Sequence, residues 1–293
     1  MSLRALTSPD LVERPERRRC PTPKISADPG HPQPADNRVP TTGYRIRLGH
    51  MRFLVPYHLD EHRPELDAPV TPDEVITADL PEVADPWTRM AVIYEAVAEK
   101  VAASVRKGER PVVVSGDCTT SLGVVAGLQR AGVDPAIVWF DAHGDVQTLE
   151  TSASGYLGGM PLRMLTGYGR HLIADRIGLR DIAEERAVLV DGRDLDPPEA
   201  EFLRTARISH RTVADLGDLP DGPIYLHLDC DVVDPGDLPG LLFPALDGPS
   251  LQAVSGAVRA IVDSGRVAAF GLACTWRDDQ GAADRMRPLV DTV

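Results

Sequence analysis

What this sequence lacks narrows it first. It has no run of about eighteen apolar residues, and its N-terminal stretch carries charge without an apolar core, so neither a membrane span nor a secretory signal is expected. It has no basic excess. Its 44 acidic and 31 basic residues give a formal charge of −13, which argues against nucleic acid or an anionic membrane surface as a partner, since both need a basic footprint. It has few cysteines, and Cys20, Cys118, Cys230 and Cys274 are spaced for neither a zinc ribbon nor a disulfide framework. A reducing, cytoplasmic setting is the expectation. The acidic balance permits a small cationic substrate, although it also serves solubility alone.

What is present is enough for one sizeable core: 293 residues, 43% hydrophobic, fit a single α/β domain. Residues 1–50 stand apart. They are rich in Pro, Arg and small polar residues, with a basic cluster at Arg17, Arg18 and Arg19, and they show no helical or strand period, so a disordered tail is expected there. Met51 is a candidate start, which would leave residues 51–293 as the domain. Met51 to Tyr57 reads as a first core strand, and Tyr57-His58-Leu59-Asp60-Glu61 after it is either a site-lining segment or a solvated loop.

Helices and strands then alternate. Asp85 and Pro86 suit a helix start, and Met90, Ile93, Val97, Val101 and Val105 recur at threes and fours up to Lys107 and Gly108. Val112–Val114 is a short β-branched run that ends in Ser115-Gly116-Asp117-Cys118 before a helix closing near Gly132. Further strands are expected at 136–140, 187–190, 224–228 and 267–274, with helices from Pro198 and over 251–263. This rhythm predicts an α/β fold, a parallel sheet between helices, with functional residues at the C-terminal strand ends.

Two of those ends are crowded with possible metal ligands. Val138-Trp139-Phe140 runs into Asp141-Ala142-His143-Gly144-Asp145, and 224–228 runs into Asp229-Cys230-Asp231. On extended backbone alternate residues face one side, so Asp141, His143 and Asp145 converge, and so do Asp229 and Asp231. Carboxylates this dense cannot all stay ionised without a cation, and oxygen-rich ligation with one imidazole suits Mn²⁺ or a similar dication.

These segments, with Ser115-Gly116-Asp117, Ser154-Gly155-Tyr156-Leu157-Gly158-Gly159-Met160-Pro161 and Gly192-Arg193-Asp194, resemble the signatures of the ureohydrolase superfamily of arginase, agmatinase and formimidoylglutamase. The resemblance runs from about Met51 to Asp284. It implies an arginase-like three-layer α/β/α sandwich with a mostly parallel eight-stranded sheet, assembled as trimers or hexamers. It also implies a pair of Mn²⁺ ions activating a shared water against a guanidino or formimino carbon. Carried over by position, Asp141 and Asp229 bridge the metals, His143 and Asp231 complete one site, and Asp145 with Cys118 completes the other. Asp145 is also the catalytic candidate, next to the substrate nitrogen. Gln147, Ser154 and Asp196 fall where such relatives hold the amino-acid end of the substrate.

Three positions depart from the pattern. Cys118 stands in place of a metal-binding histidine, and a thiolate shifts preference toward Zn²⁺, Fe²⁺ or Ni²⁺. Gly158 replaces the histidine that serves as acid or proton shuttle. The glutamate that grips the guanidinium is missing, with Thr275 or Trp276 near its place; Trp276 is a candidate to stack on a flat or cationic group. The expected function is therefore a metal-dependent hydrolase of a linear non-peptide C–N bond, on a substrate other than arginine. The alternatives are a catalytically impaired metal-binding or scaffold protein, and a mononuclear amidohydrolase of the deacetylase type.

Overall fold

The computed structural model describes residues 49–293. The tail expected over 1–50 lies outside the described residues but for its last two, and His50 already opens the first strand. In chain order the strands are β1 His50–Val55, β2 Tyr57–His58, β3 Glu61–His62, β4 Glu74–Val75, β5 Arg110–Ser115, β6 Ala136–Asp141, β7 Ala187–Asp191, β8 Ser209–Arg211, β9 Ile224–Asp229 and β10 Val267–Ala273. The helices are α1 Pro86–Arg106, α2 Ser121–Arg130, α3 Pro161–Leu165, α4 Pro197–Thr205, α5 Leu251–Asp263 and α6 Ala282–Val290.

Eight strands form one sheet in the order β4-β1-β5-β10-β9-β6-β7-β8, and every pairing in it is parallel. Such a sheet has to be covered on both faces, and the side chains of its central strands divide accordingly. Val113, Ile137, Trp139, Leu189 and Tyr225 pack with residues of α1, α2 and α3. Their neighbours Val112, Val114, Val138, Phe140, Leu226 and Leu228 pack with α5 and α6 on the other side. The result is the three-layer sandwich expected from sequence.

Local chemistry fixes the layers. Asp85 caps α1 by accepting the Thr88 N–H at 3.0 Å, and Met90, Ile93, Val97 and Val101 are buried on the face that the sequence spacing marks out. α2 lies against α1 through Gly127, where a Cβ would come within 2.7 Å of the Ala98 carbonyl oxygen. The four central strands, β5, β10, β9 and β6, all run the same way. Their C-terminal ends therefore open onto one edge of the sheet, where an α/β fold of this kind builds its site.

Candidate metal centre

Each donor is placed by a strand end and the turn after it. β6 stops at Asp141, whose Oδ1 accepts the backbone N–H of His143 at 2.7 Å, and this folds the next residues back over the strand. Asp145 then takes a left-handed backbone with φ of 53°, a conformation unusual for a residue other than glycine. β9 stops at Asp229, which accepts the Asp231 N–H at 2.9 Å and so starts the 3₁₀ turn Cys230–Val232 that presents Asp231. After β5, Asp117 caps the 3₁₀ turn Cys118–Thr120 through the Thr119 N–H at 2.7 Å and turns Cys118 inward.

These turns bring six donors together. The ligand atoms of Cys118, Asp141 and Asp145 lie within 4.8 Å of one another, and so do those of Asp141, His143 and Asp231, so Asp141 is common to two triplets. Asp229 joins them: its Oδ2 accepts the Cys118 thiol at 2.8 Å, while its Oδ1 takes the Asp231 N–H. All of these except the half-buried His143 are buried.

The electrostatics describe a centre short of positive charge. Burial, and then Asp141 and Asp229, push the Asp145 carboxyl well above the ordinary range. Burial, with Asp231 and Asp141, does the same to Asp229. Asp231 is raised to about 6 by burial and by Asp141. The Cys118 thiol is pushed up by burial and by Asp229, Asp145 and Asp141. His143 goes the other way. Burial disfavours its charged form, but hydrogen bonds to Asp141 and Asp231 overcome this and raise it to about 12. Its Nδ1 lies 3.3 Å from Asp141 and 3.2 Å from Asp231, so in this state a proton sits between the two carboxylates. Asp145 Oδ2 is buried with no hydrogen-bond partner among the described residues, an arrangement that costs free energy unless something else binds it. A divalent cation at each triplet answers both observations, and the mixed oxygen, imidazole and thiol donors suit one.

Further residues hold the ligands in place. The Trp139 indole donates to Asp141 Oδ2 at 3.1 Å, and the Thr275 hydroxyl donates to Asp229 Oδ1. The Arg193 guanidinium binds the carbonyl oxygens of Asp231 at 3.2 Å and Val232 at 3.0 Å, pinning the turn that carries Asp231. The Thr275 and Arg193 roles were not evident in the sequence, because their partners come from distant segments; Trp139 lies on the same strand as its partner Asp141, two residues before it.

Above the cluster lies a half-open cleft of about 130 Å³, with Cys118, His143, Asp145, Asp229 and Asp231 on its inner side. Gln147, Ser154 and Asp196, the residues expected to face substrate, also line it. Gln147 donates to Asp196 at 2.9 Å, and Ser154 Oγ accepts the Tyr156 N–H at 3.2 Å. Among the described residues, no Lys or Arg lines it.

Trp276 needs a correction. It is 1% exposed, packs in the core with α5 and α6, and donates its indole N–H to the Asp67 carbonyl at 3.0 Å. It is absent from the cleft wall, where Thr275 stands instead. At the end of β10 alternate residues face opposite layers, so the one-residue choice between them decides which side chain reaches the site.

The family model described as "Arginase family" matches residues 54–274. The arginase of Bacillus caldovelox is 35% identical over 171 residues, which is 51% of this chain and 57% of that protein. The arginase of Bacillus subtilis (strain 168) is 30% identical over 187 residues, or 58% of this chain and 63% of that one. The chain thus spans about three-fifths of the length of these curated relatives. Among solved structures, the Bacillus caldovelox arginase superposes with a TM-score of 0.72 at 23% identity, covering 84% of this chain and 97% of its own. Formimidoylglutamase from Bacillus subtilis superposes with a TM-score of 0.60 at 17% identity, covering 86% and 88%. At these identities the superpositions show the fold.

Proposed function

This chain belongs to the arginase family, and from that premise we propose that it is a metal-dependent hydrolase of a linear C–N bond of the guanidino, amidino or formimino type. The observation that carries the reading is the pair of ligand triplets sharing the buried Asp141, whose other members, Cys118, Asp145, His143 and Asp231, line a cleft. Cys118 and Asp145 would hold one ion and His143 and Asp231 the other, with Asp141 and Asp229 between them. When bound, two dications supply an acidified water and a Lewis acid for the trigonal carbon. Mn²⁺ is the ion that the family suggests, and the Cys118 thiolate would move the preference toward Zn²⁺, Fe²⁺ or Ni²⁺.

The protein's own groups do the rest. Asp145 lines the cleft beside the ligands, where its carboxylate would hold a substrate nitrogen and favour positive charge building there. Gln147 and Asp196, joined by their hydrogen bond, offer amide and carboxylate groups to a polar or cationic substrate end, and Ser154 adds a hydroxyl. With several carboxylates and, among the described residues, no Lys or Arg on its wall, the cleft favours cationic over anionic groups. The missing guanidinium-gripping glutamate counts against arginine. Relatives named arginase at 30% and 35% identity count the other way, so arginine stays among the substrates to be tried. A cytoplasmic homo-oligomer, trimer or hexamer, completes the reading on the strength of the family resemblance.

The test is a hydrolysis assay on the full chain, loaded in turn with Mn²⁺, Zn²⁺, Fe²⁺ and Ni²⁺. Arginine, agmatine, formimidoylglutamate and shorter guanidino acids are offered, and urea, formamide and ammonia are measured. Release from one class of substrate, abolished by a chelator, is expected. A fully loaded protein that hydrolyses none of them is a scaffold or binding protein, and the proposal fails.

A further inference from the structure

Resting on that reading, we propose that Tyr156, hydrogen-bonded to His58, is the proton donor of the cleft and takes the place that Gly158 leaves open. Gly158 is buried and lines the cleft, yet the space beside it is filled: a Cβ built on Gly158 would overlap the ring and hydroxyl of Tyr156. The missing side chain at 158 thus makes room for a phenol from two residues earlier. Tyr156 lines the same cleft as Cys118, Asp145 and Asp229. Phe243, at the exposed side, packs on its ring with centroids 5.1 Å apart and limits where the ring can swing.

His58 gives the phenol a proton partner. Its Nε2 lies 3.1 Å from the Tyr156 hydroxyl, and its Nδ1 lies 3.0 Å from the Gly116 carbonyl oxygen. A carbonyl only accepts, so Nδ1 carries a hydrogen in either charge state of the ring. In the neutral ring Nε2 then accepts from the phenol. In the charged ring Nε2 donates to the phenol oxygen, which frees the phenol hydrogen for the cleft. His58 is half-buried and so retains access to solvent protons. Its backbone is anchored at the site: the Gly116 N–H donates to the Tyr57 carbonyl at 3.0 Å, and the Leu59 N–H donates to Asp117 at 2.6 Å.

In the step this pair serves, the C–N bond breaks and its electron pair stays on the leaving nitrogen. The Tyr156 proton moves to that nitrogen as the His58 Nε2 proton moves to the phenol oxygen. The oxygen of one water ends on carbon, the proton shed by that water goes to solvent, and His58 regains one from solvent. One water is consumed per bond broken. Tyr156 is the catalytic residue of the pair and His58 its positioning residue.

Two measurements test this on the full chain. In metal-free protein, nitrogen NMR of the His58 ring reads the hydrogen bond directly: Tyr156→Phe shifts the Nε2 resonance and leaves Nδ1 in place. An Nε2 resonance that does not move overturns the pair. In metal-loaded protein, with the substrate that wild type hydrolyses, Tyr156→Phe lowers kcat by ~10²-fold or more, the usual cost of losing a positioned acid. KM stays within a few-fold and metal content is unchanged. Gly158→Ala, whose methyl displaces the phenol, lowers kcat similarly and adds little to Tyr156→Phe. His58→Ala loses kcat and recovers part of it with added imidazole, which a packing defect would not do. Wild-type kcat in Tyr156→Phe overturns the donor role and leaves the hydrolase reading standing. A loaded wild type that is inactive on every substrate overturns both.

Discussion

Cys118 is the residue on which metal choice turns. Its thiol is buried against Asp229 and its pKa is raised by burial and the surrounding carboxylates, so it becomes a ligand only by giving up a proton to an incoming cation. Cys118→His is expected to keep the same number of bound ions while shifting preference toward Mn²⁺ over Zn²⁺, measured by competition between the two ions. An unchanged preference would remove Cys118 from the ligand set. Asp231, raised to about 6, must also lose its proton, so metal affinity should fall as pH drops through about 6. Calorimetry in buffers of different ionisation enthalpy would register the protons released; binding without proton release contradicts these shifts. At this scale Asp141, His143, Asp145, Asp229 and Asp231 were legible because their alternation is local. Tyr156 and Thr275 were not, since what gives each its part is a partner on another segment, and Trp276 misled because residues 275 and 276 face opposite sides.

Elements hold these residues through close backbone approaches that only glycine permits. Gly127 in α2 faces α1 so closely that Gly127→Ala is expected to cost about 1–3 kcal/mol in unfolding experiments, with metal content unchanged in what remains folded. Gly256 in α5 is the contrast. A Cβ there meets nothing within 4 Å, so Gly256→Ala should stabilise by up to about 1 kcal/mol. If both substitutions had the same effect, the α1–α2 packing would not be as described. The long helices and core strands were legible from spacing and caps: α1 begins at Pro86 beside its expected cap, and β6 and β9 end on the expected aspartates. The two-residue strands β2, β3 and β4 were not, because so few residues carry no period. The strand order was equally hidden, since it joins segments that no local pattern relates.

For the whole molecule, metal and stability are linked. Asp145, Asp229 and Asp231 have raised pKa values in the metal-free fold, so the stability they contribute is present at low pH and is lost as pH rises through those values, about 6 for Asp231. His227, buried and lowered to about 3, works in the opposite sense: its contribution is full above the ordinary histidine value and fades as pH falls. Metal removes the carboxylate penalty and leaves the His227 term in place. The gap in melting temperature between loaded and metal-free protein should therefore widen from about pH 5 to about pH 7. A gap that stays constant or narrows would mean that the carboxylates are not where the cation binds.

The most direct measurement is the metal content of the full chain by elemental mass spectrometry, after incubation with excess Mn²⁺ or Zn²⁺ and removal of unbound ions. Two triplets that share Asp141 call for two ions per chain. Two ions, reduced in His143→Ala, are the expected result; one ion or none would contradict the centre described.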